Sequence, residues 1–407
     1  MKSIFHTIEV NKDIVDSPVR VVLILYCLTF LISFNSLFEQ FFIVEWGLLT
    51  IICFFLLSVL PILVLDVSFV FLAAIFVIKL TYLPDIYEPF VLPDSVKYLR
   101  EYDRFHDNLG FEKKSDSSLI SYIVESTSYI YMLVTKAFYP MGSKFMLGAS
   151  YTLYFYAIYF FSLLLGKNFK LRFVFSILLA LSPLVSQFST WILKEVPYLF
   201  LLSLQLLFIT KYIRNKGSVC LVLLVLFSLI GTLVRPYNIL LLSCYIIVLS
   251  NVSYRVVFIF MTLLFGCLLT KLGVGNVVML IKNSILSTAA LFFAPNFLRV
   301  SNWQNIPFLT LESIVLFFGL VSFFLVSSDN EMKKRLVCAF IIFGLILGYV
   351  SSSRTLLAFD LDSIRLGSLI NEDVSRKIIP LYPMLISVGV IGYFNLMKKY
   401  LLIKRVV

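Results

Sequence analysis

In the stretch "STWILKEVPYLFLLSLQLLFITKYIRNKG", residues 189–217, a lysine and a glutamate stand side by side. Lys194 and Glu195 fall where an apolar run of about a membrane's length begins. Ionisable side chains at the edge of a spanning helix are costly unless they face water, a partner or a substrate. Further cations occupy comparable places. "GTLVRPYNILLL" puts Arg235 at a helix–helix corner, with Pro236 opening the next run. "SSSRTLLAFDLDSIRLGSLINEDVSRKIIPLYPMLI" holds Arg354, Arg365, Arg376 and Lys377, the last two directly before the prolines Pro380 and Pro383. Guanidinium groups bind phosphate oxygens through two parallel hydrogen bonds, which suits a lipid-linked pyrophosphate.

Carboxylates supply the other half of a possible reaction. The candidates are Asp94 in "LPDSVKYL", Asp103 and Asp107 in "YDRFHDN", Glu195, Asp360 and Asp362. A carboxylate beside an acceptor hydroxyl can remove its proton as a glycosidic bond forms, while cations stabilise the departing diphosphate. Asp94 stands apart from the others, because it follows a proline and precedes an aromatic-rich segment. The plain alternative is that arginines at helix ends snorkel to lipid phosphate and that Lys194–Glu195 is a solvated corner.

Other chemistries lack their residues. With two histidines, His6 and His106, a His-rich metal site is not expected, and neither is a cofactor. No glycine-rich phosphate loop or Gly-x-Ser-x-Gly elbow occurs. The six cysteines (Cys27, Cys53, Cys220, Cys244, Cys267 and Cys338) have neither disulfide-framework nor zinc-site spacing.

The elements that must position these residues are membrane helices. Of 407 residues 60% are hydrophobic and 14% charged, against roughly 25% charged in soluble domains. Twelve spans are expected, over 19–38, 42–60, 63–83, 144–165, 172–189, 196–212, 217–234, 237–251, 254–271, 308–327, 335–353 and 378–397. The first reads as a retained helix, since no small-residue cleavage site follows it. This predicts an all-α, polytopic integral membrane protein forming one membrane domain over 1–407.

The net charge of +11 is explained by topology rather than by nucleic acid. Short basic clusters (Lys167/Lys170/Arg172, Lys211/Arg214/Lys216, Lys333/Lys334/Arg335, Lys398/Lys399/Lys404/Arg405) fall on one side with Lys2, Lys12, Arg20 and Arg255. By the positive-inside rule that side is cytoplasmic, and both termini lie there. A large outer loop is then expected at 84–144, carrying amphipathic helices, with smaller ones at 272–307 and 353–377. Arg235, Arg354, Arg365, Arg376 and Lys377 defy the inside bias, which makes them the informative cations.

The order of these residues carries a resemblance. A long outer loop with Asp94 and Tyr98 is followed by Lys194–Glu195 opening a span and by Arg235–Pro236. The motifs "APNFLRVSNWQNIP" and "RKIIPLYP" come after them. Over roughly 80–400 this resembles the O-antigen or capsule repeat-unit polymerases (Wzy-type) and the related membrane-embedded C-type glycosyltransferases. The resemblance implies a glycosyltransferase of a bacterial inner membrane acting on undecaprenyl-diphosphate-linked oligosaccharide at the periplasmic face, with a chain-length regulator as a partner. It implies catalytic roles for Asp94 and Glu195, and substrate binding by Lys194, Arg235 and Arg376. Two rivals remain: a C-type transferase using a polyprenyl-phosphate sugar donor, and a lipid-linked oligosaccharide flippase.

Overall fold

The computed structural model describes residues 143–166, 168–190, 194–215, 217–235, 237–249, 307–355 and 378–406, with the isolated positions Ile75, Lys79, Val256, Ile259, Ile281, Lys282, Ser284, Ile285 and Thr288. Among the described residues the chain is all-helical. Its helices are α1 (Ser143–Leu164), α2 (Phe169–Leu181), α3 (Pro183–Thr190), α4 (Glu195–Asn215), α5 (Ser218–Val234) and α6 (Asn238–Leu249). They continue with α7 (Pro307–Val326), α8 (Asn330–Thr355), a 3-10 turn (Ile379–Leu381) and α9 (Tyr382–Val406).

Among the described residues three stretches, Glu195–Ile213, Pro307–Val326 and Ile379–Tyr400, are long and apolar enough to cross a membrane. The bent pair Phe169–Leu181 and Pro183–Ser189 makes a fourth if it counts as one span. On α5, Val219, Val222, Leu226 and Leu229 are exposed, and on α7 so are Phe308, Leu311, Val315 and Phe318. Each set recurs every three or four residues and so forms one apolar stripe facing outward. Stripes of this size call for a non-aqueous surrounding. Length and exposed stripe together mark a helical membrane protein. The expected spans 19–38 and 42–60 lie outside the described residues, as do most of 63–83, 254–271 and the expected outer loops.

Local sequence sets the helix ends. Gly166 (φ 81°) follows α1 in the left-handed conformation that closes a helix cheaply only at glycine. The Asn168 side chain accepts from the Leu171 N–H and so caps α2. Asp329 does the same for α8, accepting from the Met332 N–H at 2.9 Å. That cap explains why α8 starts at Asn330, five residues before the expected span. Glu331, Lys333, Lys334 and Arg335 continue a good helix that hydropathy alone does not register.

The span expected over 172–189 is broken. α2 and α3 meet at a 54° bend around Ser182. Pro183 has no N–H to offer the Leu179 carbonyl and disfavours helical geometry at the residue before it. The Ser182 N–H reaches Leu179 O instead, at 3.3 Å, and the Ser182 hydroxyl accepts from the Val185 N–H at 3.2 Å, starting α3.

The chain divides into two units, Met1–Leu207 with Val222–Pro236, and Phe208–Leu221 with Tyr237–Val407. In the first unit α1 packs on α2 and α3, joined by Ser150 Oγ donating to Ser189 O at 3.0 Å. Within the same unit Gln205 Nε2 donates to Phe227 O at 2.8 Å, which sets α4 and α5 antiparallel. In the second unit Arg335 Nη1 donates to Ile247 O at 3.0 Å, so the start of α8 lies beside the end of α6.

α7 and α9 pack through glycine. A Cβ at Gly319 would lie 2.8 Å from Gly389 Cα, and one at Gly392 would lie 2.2 Å from Gly319 O and 2.7 Å from Phe323 N. Moving forward from Gly389 to Gly392 moves the contact forward from Gly319 to Phe323. The two helices therefore run in the same direction.

Candidate functional site

Lys194 and Glu195 open α4. The Lys194 carbonyl accepts the Tyr198 N–H at 3.0 Å, and Glu195 occupies the first turn. Pro197 is tolerated there because the first-turn N–H groups have no intrahelical partner. At the far end of the hairpin, the Arg235 N–H donates to Gly231 O at 2.8 Å as α5 closes, and Pro236 prevents continuation. Antiparallel pairing brings the start of α4 beside the end of α5. A carboxylate is favoured at a helix N-terminus and a guanidinium at a C-terminus, so each charge sits where its own helix dipole prefers it.

The two charges meet. Arg235 Nη2 donates to Glu195 Oε1 at 2.6 Å. The guanidinium also lies over the Tyr198 ring, 5.5 Å from its centroid, in cation–π range. None of this is at the surface of the fold: Lys194 is 8% exposed, Glu195 0% and Arg235 6%. A solvated helix corner would leave all three wet, so that alternative fails for these residues. Sequence reasoning linked Glu195 to its neighbour Lys194, and the structure gives the carboxylate Arg235, 40 residues on.

This arrangement holds one guanidinium in a fixed plane by a carboxylate and an aromatic face. Chemically it is a preorganised cation, its planar fork held in one orientation before any anion arrives.

The other expected site residues are distributed differently. Arg354 lies in the last turn of α8, in the second unit. Asp94, Arg365, Arg376 and Lys377 lie outside the described residues, as do Asp103, Asp107, Asp360 and Asp362.

One charged group escaped sequence reasoning. Lys79 is helical, 8% exposed, and donates to Ala180 O and to Ser186 Oγ at the α2–α3 bend. Its ammonium stands 5.4 Å from the centroid of the Tyr154 ring. A single lysine in "FLAAIFVIKLTYLP" was the available signal, read there as part of a span. Among the described residues no group of three His, Cys, Asp or Glu side chains is placed to hold a metal ion. Compared with protein-family models, curated proteins and solved structures, the chain matches none.

Proposed function

We propose that this chain is a membrane glycosyltransferase that polymerises lipid-linked oligosaccharide repeat units of a bacterial surface polysaccharide. The observation that carries the reading is the buried Glu195–Arg235 pair, beside Lys194, at the end of an apolar hairpin. A guanidinium set in place before substrate arrives needs no reorganisation when negative charge develops on a leaving group.

In this reading Arg235 and Lys194 meet the diphosphate oxygens of an undecaprenyl-diphosphate-linked glycan at the periplasmic face, and both chain termini are cytoplasmic. Glu195 holds the guanidinium plane. Asp94 takes the proton from the acceptor hydroxyl as its oxygen attacks the anomeric carbon. The bond to diphosphate breaks with its electron pair going to the phosphate oxygen, and the cations meet that charge. Arg354, Arg365, Arg376 and Lys377 bind the same class of anionic, sugar-bearing substrate. A chain-length regulator is the expected protein partner.

The test is a polysaccharide length assay in cells that depend on this chain, with wild type, Arg235→Ala and Glu195→Gln at matched protein levels. Loss of long chains with accumulation of single-repeat lipid-linked units supports polymerisation. A product shortened by one sugar indicates a C-type transferase. Normal chain lengths in both variants remove the pair from the chemistry. The flippase reading draws on the α2–α3 break, because interrupted helices recur in transporters. Repeat units trapped on the cytoplasmic side would favour it.

A further inference from the structure

The α2–α3 bend leaves a helix C-terminus inside the first unit. In a continuous helix the Leu179 and Ala180 carbonyls would accept from residues 183 and 184, and Pro183 has no N–H to give. Two side chains from other elements meet these carbonyls. The Tyr154 hydroxyl donates to Leu179 O, and the Lys79 ammonium donates to Ala180 O. Lys79 also donates to Ser186 Oγ, whose own hydroxyl donates to Ser182 O at 2.5 Å. The Tyr154 ring gives the ammonium its π face. Tyr154 is fully buried, and Ser182 and Ser186 nearly so.

The surroundings of this ammonium are those of a bound cation. A backbone carbonyl, a hydroxyl oxygen, an aromatic face and the negative end of a helix dipole converge on it. In interrupted membrane helices, exposed carbonyls and half-helix C-termini bind small monovalent ions. We propose that the α2–α3 break is a monovalent-cation site which this chain fills permanently with the ammonium of its own Lys79. The site holds α2 and α3 at their bend, and emptying it creates a demand for an external ion of the same charge. This inference stands apart from the glycosyl-transfer reading and does not depend on it.

Removing the tether tests the site directly. Purified full-length Lys79→Ala in lipid nanodiscs is heated with methylammonium chloride, sodium chloride or tetramethylammonium chloride at equal ionic strength. Methylammonium is expected to raise the unfolding midpoint of this variant by about 2 °C or more over tetramethylammonium, which is too large for the site. The wild type should show no such difference. A response to sodium as well as methylammonium defines a general small-cation site, and a response to methylammonium alone defines an ammonium site; either supports the proposal. Equal midpoints for Lys79→Ala in all three salts overturn it. If Lys79→Ala does not accumulate, Lys79→Gln decides, since it keeps donors for Ala180 and Ser186 without the charge. A lower midpoint than wild type supports a site for charge, and an unchanged midpoint overturns it.

Discussion

Glu195 and Arg235 form an ion pair at 2.6 Å across an antiparallel hairpin, each at the helix end whose dipole favours its charge. Taking two charges out of water is expensive, so a pair of this kind contributes little net stability but is severe to break. Glu195→Gln or Arg235→Met alone should therefore destabilise the protein by about 3–5 kcal/mol. The double variant Glu195→Gln/Arg235→Met should recover much of that loss. Thermal unfolding of all four proteins in nanodiscs gives the coupling, and strictly additive losses would refute it.

Charge and geometry separate at Arg235. Arg235→Lys keeps the charge but loses the planar fork, so chain length should fall nearly as far as in Arg235→Ala. Recovery of full-length polymer by lysine would mean that a point charge suffices. Lys194→Ala should also shorten the product, through weaker substrate binding.

For Asp94 the amide analogue is decisive. Asp94→Asn keeps size and polarity but cannot take a proton, and general-base catalysis is typically worth about 10²- to 10⁴-fold. Turnover of a lipid-linked repeat should drop by that factor with little change in substrate affinity. Retained turnover would move the base to Glu195, Asp103, Asp360 or Asp362.

Backbone contact between α7 and α9 makes Gly392 intolerant of any side chain. A Cβ there meets the Gly319 oxygen and the Phe323 nitrogen, both backbone atoms that cannot rotate away. Gly392→Ala should cost about 1–3 kcal/mol or more. Gly217, between α4 and α5, has nothing within 4 Å of the same added atom. Gly217→Ala should be neutral in the same unfolding assay, and equal losses at the two sites would contradict the close crossing.

Topology has its own test. Ser115→Cys, in a background without the native cysteines, should react with an impermeant maleimide added outside intact cells. Labelling only after permeabilisation would place 84–144 on the cytoplasmic side.

What the sequence made legible was the part governed by one local property. Unbroken apolar length locates α1, α4, α5, α6 and α7 to within a few residues, because hydrocarbon is the solvent that selects it. α2 and α3 read as one span because window hydropathy does not register the N–H that Pro183 lacks. Lys194, Glu195 and Arg235 stood out as charges in apolar context. Which partner each takes depends on hairpin register, a tertiary quantity. Lys79 was hidden for a related reason, since its acceptors lie 101 and 107 residues away.

The glycine crossing of α7 and α9 has one more consequence. Two backbones in direct contact leave no crevice wide enough for a water molecule or an acyl chain. That seam of the second unit is sealed by the helices themselves, independent of any surrounding lipid. Any lipid chain entering this unit laterally has to part some other pair of helices.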